Sequence, residues 1–191
     1  MAHKFTAKSK HKLDNEQRRS LMPPYETLQK FGLASGADVA DIGCGIGYFT
    51  IPAGKIVGSS AIVYALDILP EMLAEVAGRA AETGLTNIRT IQVGEYDFKL
   101  ADRAVDFIIM SNVLHETDDH DLFFSEALRI LRAGGRMAVI EWRKIAGSPG
   151  PPIEHRLSPE EVRDLALKRG MEEFYSIDFG QGQYGLVFVK N

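Results

Sequence analysis

Short apolar runs alternate along this chain with longer stretches whose apolar positions recur every three or four residues. The runs at 38–42 (DVADI), 61–66 (AIVYAL), 88–93 (IRTIQV), 105–110 (VDFIIM) and 136–142 (RMAVIEW) are almost continuously apolar. That is the pattern of strands buried on both faces. Two further runs, 172–178 (EEFYSID) and 184–190 (YGLVFVK), are joined by the glycine-containing FGQGQ. This predicts an antiparallel hairpin at one edge of the sheet.

Helical patterns fill the gaps. PPYETLQKF precedes the first strand, and YFTIPAGKIV follows it, with Pro52 either in the first turn or bending the helix. PEMLAEVAGRAAETG runs from Pro70 to Gly84, the usual polarity of proline at the start and glycine at the end. In DLFFSEALRILRAGG, Phe123, Phe124, Ala127, Leu128 and Leu131 share a face, and Gly134 and Gly135 are expected to stop the helix. In SPEEVRDLALKRG, Ser158 and Glu161 form a capping box around Pro159, with Gly170 as the C-cap. Strands alternating with helices predict an α/β fold, a three-layer α/β/α sandwich on a mostly parallel sheet. The length suits one domain. Residues 1–20 are expected to be a flexible basic N-terminal arm, whose first residues are either solvated or a flap that closes over a ligand, and residues 21–191 the single domain, with 146–152 (AGSPGPP) a long loop.

Candidate chemistry clusters at the strand ends. ADIGCGIGYFT, residues 40–50, places Gly43, Gly45 and Gly47 between the first strand and the next helix. Glycines there let the backbone turn tightly and approach a ligand. The position where a dinucleotide fold wants its third glycine is Tyr48, and no G-K-[ST] follows, so neither dinucleotide nor P-loop binding is favoured. Asp67 ends the second strand, placed to accept from both ribose hydroxyls of a nucleoside. After the third strand, Glu95 suits an adenine amino group and Tyr96 the ring, while Asn112 after the fourth closes the site. Four successive strand ends would thus build one nucleoside site.

Composition narrows the partners. The net charge is -4, the pI is about 5.8, and Cys44 is the single cysteine. An acidic chain is not an obligate nucleic-acid binder. One cysteine allows no internal disulfide and no cysteine-based zinc site, which fits a reducing, cytoplasmic compartment. No apolar run approaches the ~18 residues of a membrane span.

VADIGCGIGYFT, VYALDILPEML, VGEYDF, VDFIIMSNVLHET and LRAGGRMAVIEW together resemble the ordered motifs of class I S-adenosylmethionine-dependent methyltransferases, over roughly residues 20–190. The flavour is similar to the small ubiquinone/menaquinone C-methyltransferase-like group. The resemblance implies a seven-stranded Rossmann-like sheet with an antiparallel last strand. It implies S-adenosyl-L-methionine as cofactor, S-adenosyl-L-homocysteine as product and a small-molecule acceptor. It places Asp41, Gly43 and Gly45 at the methionyl end, Asp67 at the ribose, and Ile68 and Met72 against the adenine. Glu95, where many relatives have Asp, and Tyr96 would meet the base edge, and Asn112 would line the cleft near the methionyl moiety. No metal is implied, and the oligomer is a monomer or homodimer. Cys44 is expected to be a small loop residue rather than a nucleophile.

If the acceptor must lose a proton, His115 and Glu141 are the base candidates. His115 is otherwise a structural histidine, and Glu141 otherwise an ion-pair partner of Arg143 or Arg136. Trp142 is either an acceptor wall or a core indole. GPPIEHR, 150–156, is either an acceptor lid using His155 and Arg156 or a plain loop. Two other functions remain open: a catalytically silent S-adenosylmethionine-binding regulatory subunit, and a nicotinamide-dependent oxidoreductase.

Overall fold

The computed structural model describes residues 13–180 and 182–191. Its elements run α1 (Glu16–Leu21), α2 (Pro24–Lys30), β1 (Val39–Ile42), α3 (Thr50–Val57), β2 (Val63–Asp67), α4 (Pro70–Glu82), β3 (Ile88–Gln92), β4 (Val105–Ser111), α5 (His120–Ile130), β5 (Leu131–Trp142), α6 (Pro159–Leu167), β6 (Met171–Gly180) and β7 (Gln183–Lys190).

The seven strands form one sheet in the order β3-β2-β1-β4-β5-β7-β6. β1 to β5 pair in parallel, and β7 runs antiparallel to both neighbours. The expected antiparallel last strand is present, but it lies between β5 and β6, so β6 takes the edge. Alternate side chains feed two cores, as a strand's period of two requires. Val39, Val63, Phe107 and Ile109 pack with Phe49, Ala53 and Val57 of the α3 layer. Ala40, Ile42, Ile108 and Met110 pack with Phe123, Phe124 and Ala127 of α5 and Val162 of α6.

Three expectations need correction. β3 is not buried on both faces: it is the other edge strand, and three of its five residues are exposed. α5 does not run on to Gly134. It ends at Ile130, and Leu131 adopts an extended backbone and opens β5, where it pairs with Val105. An apolar residue followed by Arg132 satisfies either period, so pairing with β4 decides it. Lys168 is the C-cap of α6, and Gly170, at φ +71, lies two residues beyond that cap. The Ser158–Glu161 capping box is present.

The arm assigned to residues 1–20 falls outside the described residues up to residue 12. From residue 13 the chain turns into α1, whose N-cap Asn15 accepts from Arg18 N at 2.9 Å. No helix among the described residues is long and apolar enough to cross a membrane.

Candidate active site

The carboxyl ends of β1, β2 and β4 open into a cavity of about 680 Å³. That is where a doubly wound sheet leaves its ligand crevice. Gly43 and Gly45 of the loop after β1 are on its wall, both with positive φ, 67° and 51°. Gly43 is required on two counts, since an L side chain is strained there and its Cβ would stand 2.6 Å from Val113 Cγ2.

Asp67 ties this loop to β2. Its Oδ2 accepts from Gly45 N at 2.9 Å, and its Oδ1 accepts from Leu69 N at 2.9 Å. Burial raises its pKa above the usual carboxylate value, although backbone N–H donors at Leu69, Gly45 and Ile68 pull the other way. Ile68, Met72, Glu95 and Asn112 complete the expected wall. Met72 is buried beneath it and Ile68 is exposed along it. Glu95 Oε1 accepts from Asp118 N, and Tyr96 Oη accepts from Asp119 N, so both brace the segment after β4. Asn112 has φ +56, a conformation asparagine tolerates better than most residues, and its Oδ1 accepts from Gln183 Nε2 at 3.1 Å.

Three expected site residues are not on the cavity wall. Asp41 is buried behind the loop, where it accepts from Thr50 Oγ1 at 2.6 Å and so ties β1 to the first turn of α3. Desolvation lifts its pKa to about 6, against the lowering effect of the Thr50 hydroxyl. Gly47 faces α4, within 3.2 Å of Val76 Cγ2 for an added Cβ, and serves the packing of α3 on α4. Tyr96 packs against the α5-side core. Cys44 is buried, and desolvation pushes its thiol well above the ordinary value, which leaves it no nucleophile.

The two base candidates are partners. His115 Nδ1 and Glu141 Oε2 are 2.8 Å apart. Glu141 is fully buried and does not reach the cavity; it also accepts from the backbone N–H of His115 and Trp142. His115 is on the wall. An ionised carboxylate only accepts, so the neutral ring carries its proton on Nδ1 and keeps Nε2 as an acceptor. Burial disfavours the imidazolium, but the Glu141 charge and hydrogen bond outweigh it and leave the His115 pKa above its usual value. The expected Glu141 ion pairs do not form: Arg143 pairs with Asp178, and Arg136 donates to the Gly32 carbonyl.

Trp142 is on the wall, joined by Pro149, Gly150, Pro151 and Pro152. Arg156 does not face an acceptor. It is buried and donates to the Pro151, Arg143, Ile145 and Ser148 carbonyls, which fixes the loop that carries the prolines. His155 opens instead onto a separate polar cleft of about 520 Å³ that shares His115 with the main cavity.

Sequence reading offered the N-terminal arm as a flap over a ligand but missed the helix that forms one wall. Leu13, Asn15, Gln17, Arg18 and Leu21, in and before α1, close the cavity from the N-terminal side. The N-capping Asn15 followed by Glu16 was the available signal for that helix. Gln183 was missed as well, because it reaches the site only through sheet pairing. No cluster of metal-ligating side chains occurs among the described residues.

A methyltransferase-domain family model matches residues 40–139, which spans β1 through β5. The crystal structure of an S-adenosylmethionine-dependent methyltransferase from Aquifex aeolicus has a TM-score of 0.90 and 30% identity, covering 98% of this chain and 100% of that one. A demethylmenaquinone methyltransferase of Geobacillus sp. (strain WCH70) is 26% identical over 65% of this chain and 53% of its own length. A ubiquinone/menaquinone biosynthesis C-methyltransferase of Hahella chejuensis is 32% identical over 62% of this chain and 48% of its own length. The chain thus spans about half the length of these two curated relatives. It belongs to the S-adenosylmethionine-dependent methyltransferase family of Rossmann-like fold.

Proposed function

We propose that the protein transfers a methyl group from S-adenosylmethionine to a small-molecule acceptor and releases S-adenosylhomocysteine. The observation that carries this reading is the hydrogen bond between Asp67 and Gly45 N at the mouth of the cavity. It puts a ribose-accepting carboxylate and a Cβ-free backbone cradle on one wall.

The residues present fit the cofactor. Asp67 accepts from the ribose hydroxyls. Ile68 and Met72 flank the base, Glu95 stands at its edge, and Tyr96 acts from behind by bracing Asp119 N. Gly43, Gly45 and Asn112 line the methionyl half. Asp41 and Gly47 act from behind, holding the loop on α3 and α4. Bound there, the cofactor supplies a methyl group already activated by a positive sulfur.

The chain's own task is then to hold the acceptor in line and exclude water. Trp142 and Pro149–Pro152 form the acceptor wall. His115 takes the acceptor's proton on Nε2, and Glu141 is a positioning residue that fixes the ring's tautomer and stabilises the charge it gains. That buried pair favours turnover over a silent binding subunit, which has no use for it. Tyr48 at the third-glycine position disfavours the nicotinamide reading. The finer reading is a cytoplasmic monomer or homodimer without a nucleic-acid partner, supported by the net charge of -4 and the single buried cysteine.

The test is S-adenosylhomocysteine formation during incubation with S-adenosylmethionine and panels of hydroxyl-, thiol- and amine-bearing small molecules. Acceptor-dependent formation is expected. Tight cofactor binding with no turnover on any class would favour the silent subunit instead.

A further inference from the structure

Glu116 is a carboxylate on the acceptor side of the cavity to which the cofactor contacts give no task. It lines the wall with His115, Trp142 and the Pro149–Pro152 loop, and its Oε1 stands 3.9 Å from His115 Nε2. The other carboxylates on that wall among the described residues, Asp67 and Glu95, face the nucleoside half. The nearby cations are turned to other work. Arg143 pairs with Asp178, Lys144 pairs with Glu161, and buried Arg156 donates to loop carbonyls. Arg18 is the one arginine or lysine on the wall among the described residues, and its guanidinium lies against Tyr48, next to the glycine loop.

The His115 ring therefore sits between two acids, Glu141 at 2.8 Å from Nδ1 and Glu116 at 3.9 Å from Nε2. Burial lowers the His115 pKa, but the Glu141 and Glu116 charges raise it and outweigh both burial and the Arg156 charge. The electrostatic potential at the base is negative. A site of that kind favours a positive group at Nε2 and opposes a negative one.

The charge that moves separates the acceptor classes. Methyl transfer carries a positive charge from sulfur to the acceptor atom. A hydroxyl, a thiol or a carbon acid attacks as an anion, and a carboxylate beside it raises the energy of that anion. An amine attacks as a neutral group and becomes cationic as it is methylated, so the same carboxylate stabilises the charge as it develops. An alkylamine also arrives protonated at neutral pH, because its pKa is about 10, and so it needs a base. A base and a carboxylate at one spot meet both needs of an ammonium acceptor.

Resting on the cofactor reading above, we propose that the acceptor is an amine, and that Glu116 binds its ammonium group beside His115. His115 Nε2 takes one proton from the nitrogen and frees its lone pair. That pair forms the bond to the methyl carbon as the C–S bond breaks, and the electrons of the broken bond stay on sulfur as a neutral thioether. The methylated nitrogen is then cationic and rests against Glu116. The proton on His115 passes to water when the products leave.

The experiment uses the full chain and matched probes: primary amines, alcohols, thiols and β-diketones on the same alkyl and aryl frames. Turnover is read with S-adenosylmethionine, and binding is read by calorimetry on the S-adenosylhomocysteine complex. N-methylated product is expected, with kcat/KM for amines at least about tenfold above the other classes, and the complex should bind an amine about tenfold or more tighter than the matched alcohol. Glu116→Gln should cut that binding preference to about threefold or less, and Glu116→Asp should restore part of it. An S-adenosylhomocysteine Kd within about twofold of wild type shows that the variant is folded. Methylation of the alcohol, thiol or diketone in preference to the amine on the same frame overturns the proposal. An amine preference unchanged in Glu116→Gln overturns it too. No product from any class, with the cofactor still bound, would remove the transfer reading itself and this proposal with it.

Discussion

His115 and Glu141 share a 2.8 Å hydrogen bond from Nδ1 to Oε2, with the histidine on the cavity wall and the glutamate fully buried behind it. In the proposed mechanism the pair divides the work of a base: one residue meets the acceptor and the other sets its tautomer. Replacing His115 with Gln should lower kcat by about 10²–10⁴-fold on an acceptor that must lose a proton. S-adenosylhomocysteine affinity should hold, because His115 is not among the residues assigned to the nucleoside.

Glu141→Gln should move the pH profile. Glu141 raises the His115 pKa, while burial lowers it. The activity of a neutral base rises with pH through that pKa. In wild type the rise is expected above the ordinary histidine value of 6.5. In the variant burial and the Arg156 charge are opposed only by the smaller effect of Glu116, so the rise should shift to lower pH while kcat falls. A profile measured from kcat/KM that does not move would show that Glu141 plays no part in holding the proton.

Asp41 predicts a stability effect away from the wall. Its folded pKa of about 6 lies above the unfolded value of 3.8. The folded protein therefore retains a proton that the unfolded chain has released between those values. The stabilisation is complete below 3.8 and is lost as pH rises through 6. Asp41→Asn keeps an acceptor for Thr50 and removes the titration. Relative to wild type, the variant should gain on the order of 2–3 kcal/mol between acid and neutral pH, read from urea unfolding at both.

Gly43→Ala should damage both fold and site. Its φ of +67 and the 2.6 Å approach to Val113 Cγ2 oblige the loop or Val113 to move. A loss of about 1–3 kcal/mol is expected in thermal unfolding, with weaker S-adenosylhomocysteine binding.

Gly150→Ala should separate acceptor from cofactor. Gly150 has φ +122, and a Cβ there would meet Trp142 Cδ2 at 2.7 Å. The proline-bearing loop lies flat on the indole only because Gly150 has no side chain. The variant should raise the acceptor KM while S-adenosylhomocysteine Kd stays within about twofold, since neither Gly150 nor Trp142 is among the residues assigned to the cofactor.

Much of this was legible because it is local. β1, β2, β4 and β5 announce themselves as continuous apolar runs, and Gly43, Gly45 and Asp67 sit at their ends in sequence as in space. β3 was misjudged because an edge strand and an interior one differ in neighbours, not in β-propensity. The rest of the site depends on contacts that no local pattern encodes. Arg18 meets Ser111 across 93 positions, Asn112 meets Gln183 across 71, and His115 meets Glu141 across 26. His115 and Glu141 were each visible as titratable residues at strand ends. That they form one unit, with only one of them on the wall, follows from β4 pairing with β5 and from the turn after β4.

The most direct measurement is calorimetric binding of S-adenosylmethionine and S-adenosylhomocysteine, beside NAD, to wild type and Asp67→Ala. Binding of both sulfur nucleosides to wild type, weakened by about 10- to 100-fold in the variant, is the expected result, because a ribose held by a carboxylate loses charge-assisted hydrogen bonds. Binding of NAD with no affinity for either sulfur nucleoside would contradict the account.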